Sequence, residues 1–197
     1  MEAFITGLGL SSSAGLNTYL PLIIFNLAGR SEILEIEGAT ADVLTSWPAL
    51  IVFGILLVIE IVADKVPMVD SVNDVINTAV RPAVGAALMV ATTSGLEGQI
   101  DPEALAALSV ISGGVSAGGV HAVKATTRPA VTASTGGLGN TIVSTIEDII
   151  SLMVALIAIA LPFILIFFVV SFVVLFLWWL WEMNRLDRLE RQGIKLK

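Results

Sequence analysis

From Ile149 to Trp181 the chain carries no charged residue. That stretch exceeds the roughly 20 residues with which one helix crosses a bilayer core. It therefore reads as two spans divided near Pro162, and no soluble domain of this size could bury both. The rest agrees: 197 residues, 56% hydrophobic, 14% charged, mean hydropathy +0.93. The expectation is an all-α polytopic membrane helix bundle of about six transmembrane spans. Residues 1–184 form a single integral membrane domain, and 185–197 a basic cytoplasmic tail.

Span one is read over 1–29; its start, Met-Glu-Ala-Phe, lacks the basic residues of a secretory signal, so it is expected to be retained. Ser11, Ser12, Ser13, Gly15, Asn17 and Thr18 fall near its middle, ahead of Pro21. Such a sequence serves either as a small-residue packing seam or as a broken helix lining a pathway. Span two runs over 47–64, span three over 67–93 with Pro82 as a kink, and span four over 104–123. Residues 124–139, rich in Thr, Ser and Gly, read as a loop, after which Asn140 caps span five.

The charges sort by loop. Glu32, Glu35, Glu37 and Asp42 fall in one, and Glu97, Asp101 and Glu103 in another; Lys65, Lys124, Arg128 and the tail bases lie in the remainder. By the positive-inside rule both termini are cytoplasmic (N-in/C-in), in the cell inner membrane. No basic run suits nucleic acid, and with no cysteine present thiolate chemistry is excluded. No motif implies a cofactor, and none is expected.

Within this apolar chain one stretch, Glu60 to Arg81, concentrates ionisable groups. Asp70, Asp74, Asn77 and Arg81 recur at helical spacing and share a face, while Glu60 and Asp64 share another at i, i+4. In hydrocarbon such faces turn inward. The expected polar layer adds Lys65, Asn17, His121, Lys124, Arg128, Asn140, Glu147 and Asp148. His121 reads more simply as a hydrogen-bonded structural group than as a metal ligand, since no H-x-x-H or E-x-x-H pattern accompanies it. Two weak self-similarities suggest an internal repeat, inverted if Ser13-Ala14-Gly15 matches Ser116-Ala117-Gly118, parallel if the Lys65–Asn77 corner matches Lys124–Glu147.

The segments GLNTYLPL, VADKVPMVDSVNDVINTAVRP, HAVKATTRPAV and TIEDII together resemble the bacterial membrane family catalogued as domain of unknown function 4126. The matching signature is Asp64, Lys65, Pro67, Asp70, Ser71, Asp74, Arg81 and Pro82. The resemblance implies one polytopic domain and no activity.

Three functions fit the polar layer. It can be a salt-bridge network that fixes helix register. It can be the site of a small transporter or channel, where Asp70, Asp74 or Glu147 would couple a proton and Arg81 would hold an anion or a carboxylate. Or Asp70 and Asp74, joined by Glu147 or Asp148, can hold a divalent ion on a lipid phosphate. Transport of an ion or small solute is the leading expectation. Six short spans leave little room for a pathway and the glycine faces invite packing, so a homo-oligomer in the lipid bilayer is expected as well.

Overall fold

The computed structural model describes residues 1–65, 67–96, 98, 100–136 and 138–191; the side chains of 67–72, 138 and several between 165 and 191 lie outside that description. Among the described residues eight α-helices follow in order: α1 (Glu2–Ala14), α2 (Tyr19–Arg30), α3 (Ala39–Leu44), α4 (Trp47–Ala63), α5 (Pro67–Thr93), α6 (Pro102–Thr135), α7 (Leu138–Ala160) and α8 (Pro162–Arg191). Residues 73–96, 102–135 and 139–160 are long and apolar enough to cross a membrane, and α4 is a shorter apolar helix.

Burial is inverted relative to a water-soluble protein. The largest fully buried side chain is Arg81, while Ile55, Val58 and Phe167 are 57%, 62% and 67% exposed. Apolar surface turned outward over a polar interior suits lipid as the surrounding medium.

Residues 1–29 do not form one span. Gly15 ends α1, with its N–H bonded to the Ser12 carbonyl at 3.1 Å, and α2 restarts at Tyr19. Pro21 falls in the first turn of α2, where a missing N–H costs no helical bond. The chain then folds back, because Met1, Glu2 and Thr6 share a cleft of about 410 Å³ with Glu32–Ile36, Thr92, Leu96 and Ile159. The start of α1, the loop after α2 and the C-terminal ends of α5 and α7 therefore lie together. This corrects the expected placement of the N-terminus, which sits at the acidic-loop end of the bundle, away from Lys65 and Arg128.

α5 and α6 run antiparallel through the centre: Arg81 meets His121 and Thr93 meets Ser109. Their backbones approach at Gly85 and Gly113, where a Cβ on either glycine would strike the other's main chain. α1 fills the groove beside them, with the Ser11 hydroxyl on the Gly85 carbonyl at 2.8 Å. Opposite, Ser13 and Ser151 tie α1 to α7: the Ser13 hydroxyl donates to the Ser151 carbonyl at 2.8 Å, and that of Ser151 to the Ser13 carbonyl at 3.1 Å. Leu10, Phe25, Leu88, Ala117, Ala155 and Ala158 form the apolar core. α8 packs on α1 and α7.

Residues 124–135, expected as loop, are the last turns of α6, which closes at Gly136 with φ 61. The helix continues past Pro129, and its threonine hydroxyls back-bond to helix carbonyls: Thr126 to Ala122 and Val123, Thr127 to Val123 and Lys124, Thr132 to Arg128. Thr-rich sequence is thus compatible with helix as well as with loop. The two halves of the inverted-repeat match stand in different settings: Ser13-Ala14-Gly15 closes a 13-residue helix and Ser116-Ala117-Gly118 lies inside one of 34 residues.

Candidate functional site

The α1–α2 break leaves helix-end groups deep in the bundle, where water cannot serve them. Their depth follows from Arg81, which lies near the middle of the 27-residue α5, roughly 20 Å from either end at 1.5 Å per residue. Charged side chains take water's place at the break. Arg81 Nη1 donates to the Gly15 carbonyl at 2.7 Å, and Lys124 Nζ to the Leu16 carbonyl at 3.0 Å. These cations sit at the negative end of α1.

At the positive end of α2 the complement holds. Glu60 Oε2 accepts the Thr18 N–H at 3.0 Å, and Oε1 accepts the Thr18 hydroxyl at 2.8 Å and Arg81 Nη2 at 3.0 Å. Asn17 Oδ1 accepts the Tyr19 and Leu20 N–H groups at 3.1 and 3.0 Å, in the manner of an N-cap. Its Nδ2 donates to Asp148 Oδ1 at 2.9 Å. Asn17 thereby stitches the break to α7.

His121 completes this inner cluster. Since an arginine only donates, the contact of Arg81 Nη1 with His121 Nδ1 at 3.2 Å makes Nδ1 the acceptor. The imidazole proton then sits on Nε2, facing the Thr78 hydroxyl at 3.3 Å, which in turn donates to the Asp74 carbonyl at 2.9 Å.

A second cluster lies one turn further along. Asp64, the C-cap of α4, accepts Lys124 Nζ at 3.0 Å and Arg128 Nη2 at 3.3 Å on Oδ2, and Asn73 Nδ2 at 2.7 Å on Oδ1. Glu147 Oε2 lies 3.1 Å from Lys124 and 2.9 Å from Arg128. Side-chain exposure rises along the series, 0% at Arg81, 1% at Lys124, 5% at Arg128 and 34% at Lys65, where Lys65 and Asp148 stand 4.0 Å apart. The layer is sealed at the α1–α2 break and opens toward the Lys65 corner.

Asp74 stands apart. Its Oδ1 is buried without a hydrogen-bond partner, and its carboxylate forms no ion pair among the described residues. Asn77 Nδ2 and Arg81 Nε are likewise buried donors without a partner. Asn140 pairs with Thr132 at 2.8 Å and ties the ends of α6 and α7, outside the charged layer. The Asp70 side chain lies outside the described residues.

Of the expected layer, Asn17, Asp64, Lys65, Asn77, Arg81, His121, Lys124, Arg128, Glu147 and Asp148 thus converge. The carboxylate that Arg81 holds is that of Glu60. The contributions of Thr18, Thr78 and the Gly15 and Leu16 carbonyls carried no signal beyond the polar character of the 11–18 stretch. Glu147 is committed to two cations, and among the described residues no group of three or more His, Asp or Glu could hold a metal. The side chain of Asp70, the first carboxylate of the divalent-ion alternative, lies outside the described residues.

No curated protein and no solved structure matches the chain. The model of the family described as Domain of unknown function (DUF4126) covers residues 4–182, and the chain belongs to that family.

Proposed function

We propose that the chain is a small inner-membrane transporter or channel for an ion or small solute, with its site where α1 and α2 meet. In this reading α4 to α8 cross the bilayer and α1–α2 is a re-entrant hairpin. The end carrying Lys65 and Arg128 faces the cytoplasm together with the basic tail, which places the N-terminus outside. One observation carries the proposal: two half-helices meet at mid-depth, and their backbone ends are held by the ionised side chains of Glu60, Arg81 and Lys124. Broken helices at this depth are the usual way a transporter presents polar backbone to a solute, and buried charge is costly to keep for packing alone. The sealed ion pairs correspond to a closed state, entered from the Lys65 side. Asp74, unpaired and partly exposed on that side, supplies the coupling carboxylate.

The test is reconstitution into vesicles with interior pH and ion content followed together. The wild-type protein is expected to carry flux that Asp74→Asn and Arg81→Gln each abolish. If no flux appears, and Arg81→Ala acts only by lowering the unfolding temperature, the layer is a structural lock and the proposal fails. Assembly as a homo-oligomer belongs to the same reading, because α4 exposes Ile51, Ile55, Val58 and Val62 along one side; light scattering on the detergent complex reports it.

A further inference from the structure

The N-terminus of α2 is an anion site whose present occupant belongs to the protein. The Thr18 N–H, the Thr18 hydroxyl and Arg81 Nη2 converge on one carboxylate, that of Glu60, at 3.0, 2.8 and 3.0 Å. The twelve-residue α2 adds its positive end. Glu60 does not exhaust these donors. Asn77, whose Oδ1 lies 3.4 Å from the Thr18 hydroxyl, keeps Nδ2 buried and without a partner, and Arg81 keeps Nε in the same condition. Asn77 is 3% exposed and Arg81 is not exposed at all, so bulk water does not serve either group.

Two buried donors left over, beside a guanidinium and a helix N-terminus, are more than one tethered carboxylate needs. Glu60 reaches the site from the last turn of α4, four residues before the Asp64 cap, so withdrawing its side chain vacates the position without unfolding a helix. The occupant is planar with two oxygens, and each oxygen already has its own donors.

We propose that this is a binding site for a small monovalent carboxylate anion of formate or acetate size, for which Glu60 is the tethered stand-in that leaves when the anion enters. The inference deepens the transport reading and rests on it for its purpose, since it names the solute class of that site. Exchange of one carboxylate for another keeps Arg81 neutralised throughout. A halide would fill only one of the two oxygen positions.

The experiment measures unfolding temperature in detergent at constant ionic strength, titrating formate, acetate, chloride and nitrate. Glu60→Ala is expected to lose stability and to recover most of it in formate or acetate but not in chloride, because a ligand of the folded state alone raises its stability. Glu60→Ala combined with Arg81→Gln should show no anion-specific recovery. Should Glu60→Ala fail to fold, Glu60→Gln keeps the side chain's shape without its charge, and formate is expected to raise its unfolding temperature more than that of the wild type. Equal curves for all four anions, or equal formate responses in Glu60→Gln and wild type, overturn the proposal. Recovery without formate flux in vesicles keeps the site and removes the transport reading; flux of another solute without recovery does the reverse.

Discussion

The two ion clusters use similar residues to different ends. In the inner one, Glu60 and Arg81 are each other's sole ion-pair partner among the described residues, and each also holds backbone of the α1–α2 break. In the outer one, Asp64 and Glu147 both serve both Lys124 and Arg128, so each charge has two opposite charges to choose between. A one-to-one pair has no reserve, whereas a two-by-two arrangement keeps one partner for every survivor. Failure of the inner cluster also releases the hairpin; failure of the outer one leaves the hairpin tied through the remaining contacts.

That contrast sets an order of effects, read as thermal or denaturant unfolding in detergent. Arg81→Gln should be the most damaging single change, costing about 3–5 kcal/mol, because it strands a buried Glu60 and a buried Gly15 carbonyl. In a double-mutant cycle, Glu60→Gln with Arg81→Gln should cost less than the sum of the singles; additivity would mean that the pair is not coupled. Glu147→Gln should cost less than Arg81→Gln, on the order of 1–3 kcal/mol, since Asp64 still pairs with both cations. An equal loss would erase the distinction between the clusters. Asn17→Ala removes the cap of α2 and should cost about 1–2 kcal/mol, with hydrogen exchange rising first at Tyr19 and Leu20. Asp74→Asn should change stability least, within about 0.5 kcal/mol, because Asp74 has no ion pair to lose. A large loss there would place Asp74 inside the network and take away its coupling role.

The polar layer was legible in the sequence because charge is conspicuous against an apolar background. Arg81 could not face lipid, and Asp64, Lys124 and Glu147 stood at helix ends turned toward one another. Its pairing was less legible. A tight turn at Lys65 and Pro67 would set Glu60 against the first turn of α5; instead Asp64 faces Asn73, and Glu60 lies against Arg81, deeper in the helix. Register between helices depends on how far α5 overshoots the end of α4, and periodicity within either helix does not record that. The fold-back of residues 1–29 was half legible. Gly15, Asn17 and Pro21 marked the break, but whether the chain goes on or returns shows only in Met1 and Thr6 lining one cleft with Glu32–Ile36, residues that carry no pattern. The Thr-rich end of α6 misled for a local reason, since the same hydroxyls that favour turns also back-bond to carbonyls within a helix.

The hairpin also bears on how the protein is made. α1 and α2, 13 and 12 residues long, reach only about 20 and 18 Å and are too short for either to settle across a bilayer alone. The groups that hold their ends, Arg81, Lys124 and Asp148, are all synthesised later. The ends of α1 and α2 therefore stay without these partners until residues as far along the chain as Asp148 have been made.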